Sequence, residues 1–227
     1  MPDPISWSYV WPYFAAAFAG GYLLGSLPFG LLLTRAAGLG DIRKLGSGNI
    51  GATNVLRTGN KALALATLLL DSGKGAVAVL VSWWVGGPEV ALIAGFAAVL
   101  GHLFPVWLRF KGGKGVATTL GTIIALTFWV GLLCCLTWLV TALLFRFSSL
   151  AALVCVAMAP VFAWILPWGL TFGEIFEPGF GELLFRGDLQ LVQITGALAV
   201  LVWIRHSANI ARLLKGTEPK IGQKKKD

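Results

Sequence analysis

Apolar residues fill this chain in long uninterrupted blocks, and polar positions gather in a few short stretches between them. The alternation of apolar and polar residues that marks barrel strands is missing. The blocks approach or exceed the ~20 residues that cross a bilayer as helix. The pattern predicts apolar helices over 13–35, 62–86, 90–108, 149–168 and 189–204. The block 116–146 is too long for one upright span at about 1.5 Å rise per residue. It reads as two short helices that turn near Phe128–Gly131. The fold class is therefore all-α: a polytopic membrane protein, one domain over 1–227, with seven transmembrane helices. The N-terminus lacks the basic start and small-residue cleavage site of a signal peptide, so the first helix is expected to stay as an anchor.

Composition supports this class. The 227 residues have 57% hydrophobic and 12% charged content, against about 25% charged in soluble domains, and a mean hydropathy of +0.80. The net charge of +8 is concentrated outside the apolar blocks, at Arg35, Arg43, Lys44, Arg57, Lys61, Arg109, Lys111, Lys114, Arg146 and from Arg205 onward. Seven crossings place all these cations on one side, and six divide them; the positive-inside bias selects seven, with the N-terminus outside and the C-terminus cytoplasmic. The outside then receives Asp3, Glu89 and the acidic stretch within 170–188, which reads as an interfacial element. The tail "GQKKKD" reads as a lipid-attracted end. A nucleic-acid binder would need a soluble basic face, and none is present. Cys134, Cys135 and Cys155 lie in apolar blocks without the spacing of a metal site or disulfide framework.

Three polar stretches carry candidate chemistry. In "KLGSGNIGATNVLRTGNK" (44–61), glycines would let backbone N–H groups converge on an anion. Ser47, Asn49, Thr53 and Asn54 add neutral hydrogen-bonding groups there, and Arg57 can fork onto phosphate. In "RFKGGKGVATT" (109–119), Lys111 and Lys114 flank Gly112 and Gly113, with Gly115 following as a helix opens. Cations and a helix dipole at one point favour phosphate. A nucleotide-binding P-loop is excluded, because Lys114 precedes glycine rather than Ser or Thr. In "RHSANIARLLKGTEPK" (205–220), His206 and Asn209 are i, i+3 neighbours, and Arg205, Asn209 and Arg212 share one helix side. Asp71 and Lys74 can pair within the second span, either steadying the bundle or lining a site. His102 reads as a hydrogen-bonded helix packer or, less simply, a proton shuttle. "SGKGAVA" (72–78) weakly echoes "GGKGVAT" (112–118), both read as helix openings.

"GSGNIGATNVLR" (46–57), "GHLFPVWLRFKGGKGVAT" (101–118) and "HSANIARLLKGTEPK" (206–220) resemble the three cytoplasmic motifs of the bacterial acyl-phosphate:glycerol-3-phosphate acyltransferases, and "GSLPFG" (25–30) precedes them in order. The resemblance implies a seven-helix enzyme of the bacterial inner membrane, with its site at the cytoplasmic face. It implies acyl transfer from acyl phosphate to the 1-hydroxyl of glycerol 3-phosphate, giving 1-acyl-glycerol 3-phosphate (lysophosphatidic acid) and phosphate. By motif position, Ser47, Asn49, Thr53, Asn54 and Arg57 belong to a first phosphate-binding loop. Lys111, Gly112, Gly113, Lys114 and Gly115 belong to a second, with Lys114 the leading contact. His206 and Asn209, with Arg212 beside them, position or activate the acceptor. No cofactor or metal is implied. Membrane lipid is the surrounding partner, and contact with the enzyme that makes acyl phosphate is left open. The His-x-x-x-x-Asp motif of other glycerolipid acyltransferases is absent, since Trp107 lies five beyond His102 and Ala211 five beyond His206.

A transporter of a phosphorylated solute is the main rival. It would place charges and broken helices near the bilayer midplane, and only Asp71 and Lys74 offer that. A lipid scaffold would use basic loops without a His–Asn pair.

Overall fold

The computed structural model describes residues 7–166 and 189–223, and every regular element among them is helical. The acidic stretch 170–188 and the last four residues of the basic tail lie outside the described residues. The chain forms two compact units, 1–126 and 127–227.

The first unit holds α1 (Trp7–Gly25), α2 (Phe29–Ala36), the short α3 (Ala52–Val55), α4 (Lys61–Gly86), α5 (Pro88–Leu103) and α6 (Val116–Leu126). The span predicted over 13–35 falls within one span-length apolar stretch, Tyr9–Ala36, which is built of two helices. Pro28 has no backbone N–H to continue the ladder, so the chain breaks at 26–28 and restarts at Phe29. Asn60 starts α4 by accepting the Leu63 N–H at 3.0 Å. Gly87, at φ +82°, allows the turn into α5, where Pro88 takes the first position.

Small residues set the packing, as expected where helices gain from close contact rather than from escaping water. On α1, a side chain at Gly21 or Gly25 would strike the backbone of Ala94 or Ala98 on α5. On α4 and α6, one at Gly75 would strike Thr118, and one at Gly121 would strike Ser72. The segment 72–78 lies in the middle of α4, so the reading of it as a helix opening is wrong; its likeness to 112–118 is of sequence only.

The second unit holds α7 (Phe128–Phe145), α8 (Ser148–Ile165), α9 (Leu189–Arg205) and α10 (Ser207–Leu214). Within 116–146, where the sequence predicts two helices meeting near Phe128–Gly131, the helix is interrupted at Thr127, leaving α6 with 11 residues and α7 with 18. α8 packs on both α7 and α9, and the Trp203 indole donates to the Leu153 carbonyl at 3.1 Å. The final span bends by 66° between α9 and α10.

Among the described residues, five helical stretches are long and apolar enough to cross a membrane, and six if the bent α9–α10 pair counts as one. Their outward faces carry exposed Trp84, Leu143, Leu144 and Trp164, a surface that only lipid would cover well.

Candidate active site

The first loop is a built structure, not a solvated turn. Ile42, Ile50 and Val55 are buried against Leu31 of α2 and Ala64 of α4. Asn54 organises it. Its amide nitrogen donates to the carbonyls of Ile42 (3.0 Å), Leu45 (3.0 Å) and Asn49 (2.8 Å), and its amide oxygen accepts the Ser47 N–H at 3.1 Å. Gly46, at φ +55°, lies under Arg57, where a Cβ would come within 2.7 Å of the guanidinium. Asn54 is 2% exposed and fully engaged. Its amide is turned into the loop, where it ties together the backbone at Ile42, Leu45, Ser47 and Asn49. Ser47, Thr53 and Arg57 are exposed, and Asn49 is half-buried.

The second loop folds back on the end of α5. Phe110 N–H donates to Pro105 O (3.0 Å), Gly112 N–H to Leu103 O (3.2 Å) and Gly113 N–H to His102 O (3.0 Å). These amides close the loop. The two glycines are needed for space. A Cβ at Gly112 would strike the His102 carbonyl and Pro105, and one at Gly113 would strike the His102 imidazole. The fold-back holds Arg109 and Phe110 at φ +52° and +62°, left-handed values unusual for side chains of that size. Lys111 is exposed, Lys114 half-buried and Gly115 buried at φ +84°.

The two loops meet. A hollow of about 530 Å³ is lined by Arg43 and Gly48 of the first loop and by Trp107, Leu108, Arg109, Lys111 and Gly112 of the second. Three cations and an aromatic wall suit an anion with an apolar portion. Lys111 and Gly112 are among the residues the sequence predicts. Trp107 and Arg109 lie inside the quoted stretches without an assigned role, and Arg43 lies one residue before the first of them. Arg57 and Lys114 are not among the lining residues. Arg43 also holds Asp41, its Nε 2.9 Å from Oδ1; hydrogen bonds from Arg43, and a weaker one from Arg35, keep that carboxyl well below the usual range.

Behind the second loop lies a buried set of ionisable groups. Lys74 Nζ is 2.8 Å from Asp71 Oδ1, as the i, i+3 spacing predicts, and donates to the Leu27 carbonyl at 2.8 Å. His102 Nδ1 lies 3.6 Å from the same Asp71 oxygen. All three residues are under 5% exposed.

In the second unit, His206 is buried, with Nδ1 2.8 Å from the Val202 carbonyl. Asn209, also buried, donates to Glu218 Oε1 at 2.6 Å. Arg212 Nε donates to Glu218 Oε2 at 2.7 Å, and Ser149 Oγ to Oε1 at 2.7 Å. Burial opposes ionisation of Glu218, but these three donors outweigh it and hold the carboxyl below its ordinary value. Glu218 has no role in the sequence reading; its only signal is a lone acid in a basic motif. No group of three His, Cys, Asp or Glu with metal-binding geometry occurs among the described residues.

The sequence profile of the family described as Glycerol-3-phosphate acyltransferase matches residues 15–216. The chain belongs to the glycerol-3-phosphate acyltransferase family. It is 59% identical over 211 residues to the glycerol-3-phosphate acyltransferase of Paramagnetospirillum magneticum, covering 93% of this chain and 95% of that protein. It is 58% identical over 214 residues to the one from Rhodospirillum rubrum, covering 91% and 90%. Its fold is similar to a crystal structure of PlsY (YgiH), described as an integral membrane glycerol 3-phosphate acyltransferase in its glycerol 3-phosphate form. The TM-score is 0.77 at 34% identity, covering 92% of this chain and 96% of that one. A lysophosphatidic acid form of PlsY matches with a TM-score of 0.76. With its lipid-facing helices, this family member is an integral membrane protein.

Proposed function

We propose that the chain transfers an acyl group from acyl phosphate to the 1-hydroxyl of glycerol 3-phosphate, releasing 1-acyl-glycerol 3-phosphate and inorganic phosphate. The observation that carries this reading is the hollow of about 530 Å³ lined by Arg43, Arg109 and Lys111 beside Trp107 and Leu108. Family membership and the substrate and product named for the similar crystal structures support it. In this reading the protein is one domain of seven crossings in the bacterial inner membrane, with its N-terminus outside and its C-terminus cytoplasmic.

Acyl phosphate is a mixed anhydride with a good leaving group, so no covalent acyl-enzyme is needed. The glycerol 1-oxygen attacks the acyl carbon, the bond from that carbon to the phosphate oxygen breaks, and inorganic phosphate leaves. Cations bring two anions together and neutralise them, which supplies both orientation and electrostatic stabilisation. Arg57, Lys111 and Lys114 take the phosphates, with Ser47, Asn49 and Thr53 supplying neutral contacts. Gly112, Gly113 and Gly115 let the second loop close. Asn209 and Arg212, tethered by Glu218, serve the acceptor.

The hydroxyl proton passes to a substrate phosphate oxygen, and His206 orients. The His206 Nδ1 faces the Val202 carbonyl at 2.8 Å, and Glu218 accepts from Ser149, Asn209 and Arg212, contacts that support an orienting role for the ring. His206→Gln separates the two roles. A retained tenth or more of turnover fits orientation, whereas a loss of about 10³-fold would assign proton transfer to the ring.

The deciding assay supplies purified protein with acyl phosphate, glycerol 3-phosphate or both. Phosphate release that requires both substrates, with lysophosphatidic acid formed in equal amount, supports the reading. Flux of glycerol 3-phosphate into proteoliposomes without acyl phosphate would favour a transporter.

A further inference from the structure

The geometry points to Asp71, Lys74 and His102 as positioning residues for the phosphate-binding second loop, with the α4 segment Asp71–Gly75 as the seat on which both ends of that loop rest. This rests on the acyltransferase reading and adds residues to it. A steadying ion pair would explain Asp71 and Lys74 alone, but not what they touch. At one end of the loop, His102 closes α5. Its carbonyl accepts the Gly113 N–H at 3.0 Å, and its imidazole occupies the space a Gly113 side chain would need. The same ring has Nδ1 3.6 Å from Asp71 Oδ1. At the other end, α6 opens against the same stretch of α4: Gly75 meets Thr118, and Ser72 meets Gly121, with no room for a methyl group.

Lys74 fixes this seat to the break in the first helix. Its ammonium donates to Leu27 O at 2.8 Å, pairs with Asp71 at 2.8 Å and lies 5.6 Å from the Phe29 ring centre. At the break the Leu27 carbonyl accepts the Phe29 N–H at 3.1 Å in place of a helical bond, and the buried Lys74 cation is its second donor. A chain of contacts therefore runs from Leu27 through Lys74, Asp71 and His102 to Gly113, next to Lys114. Moving His102 would shift the loop's cations without removing any of them.

Two measurements on the full-length protein test this. The first is amide exchange of residues 109–116, which does not depend on acyl transfer. His102→Leu should raise exchange at Gly112 and Gly113 about tenfold while the first loop stays unchanged. The second is kinetic. His102→Leu should raise KM for glycerol 3-phosphate or acyl phosphate about tenfold with a much smaller fall in kcat, and His102→Gln should recover most of the loss. Gly113→Ala, which drives a methyl into the imidazole, should be partly rescued by adding His102→Ser. If His102→Leu does not accumulate, His102→Gln and Asp71→Asn carry the same two readouts with smaller shifts. Unchanged exchange and unchanged KM in folded His102 and Asp71 variants would overturn the proposal, leaving a bundle-steadying ion pair. Wild-type protein without acyl transfer would instead sink the functional reading, and the exchange result would still judge the positioning claim.

Discussion

At the residue scale, the side chains that looked most like ligands are often those that build the site. Asn54 is the clearest. An amide in a glycine-rich loop reads as a substrate contact, but its two faces join the Ile42, Leu45 and Asn49 carbonyls and the Ser47 N–H. Asn54→Ala should destabilise the protein by about 2–3 kcal/mol through unsatisfied buried groups. Asn54→Asp should be worse, because it sets a carboxylate against three carbonyl oxygens; thermal unfolding in detergent would rank the two. Glu218 makes the complementary case. Its folded carboxyl ionises below the ordinary value of 4.5, so the tether to Ser149, Asn209 and Arg212 is complete above that value and is lost as pH falls through the folded one. Stability of the wild type should therefore drop on the acid side, and Glu218→Gln should flatten that limb while lowering stability near neutrality. Equal acid slopes in the two proteins would remove Glu218 from this role. The residue types were legible in sequence; their partners were not, since hydrogen bonds spanning 5 to 12 residues of irregular loop leave no periodic trace.

At the element scale, apolar length showed where helices lie but not where they break or touch. One continuous apolar block conceals the interruption at 26–28, because hydropathy is indifferent to the missing N–H of Pro28. The buried Lys74 that satisfies Leu27 O lies 47 residues away. Contact is decided by small residues, and the pair Gly20–Gly21 shows how local this is. Gly21 and Gly25 form a small-x-x-x-small face against Ala94 and Ala98, whereas a side chain at Gly20 would meet nothing within 4 Å. Gly20→Ala should be neutral in membrane yield and thermal stability. Gly25→Leu should separate α1 from α5 and abolish folded protein, and Gly25→Ala should fall between them. Equal tolerance at positions 20 and 25 would mean that the α1–α5 contact contributes little. The same steric logic applies to "KGGKG": the glycines were legible as special, and the nearness of His102 and Pro105 leaves Gly112 and Gly113 no room for a side chain.

At the scale of the whole molecule, the number of crossings depends on α6. Its 11 residues extend about 16 Å, well short of the ~30 Å hydrocarbon layer, so length alone does not make it a span. Charge supplies the missing argument. Lys44 and Lys61 precede α4, and Arg205, Arg212 and Lys215 follow or close the last long helix. If α6 crosses, with polar chain at either end completing the passage, both groups share the cytoplasmic side; if it does not, they lie on opposite sides against the positive-inside bias. Single cysteines at exposed Lys44, Glu89 and Lys215 would decide it with an impermeant thiol reagent applied to right-side-out and inverted vesicles. Lys44→Cys and Lys215→Cys should label only in inverted vesicles, and Glu89→Cys only in right-side-out ones. The native Cys134 and Cys155 are buried, and Cys135, which is half-buried, is replaced by Ser to keep the background low. Labelling of positions 44 and 215 from opposite sides would make the count even and strand the cationic motifs on different faces, an arrangement in which one pair of anionic substrates could not use them together.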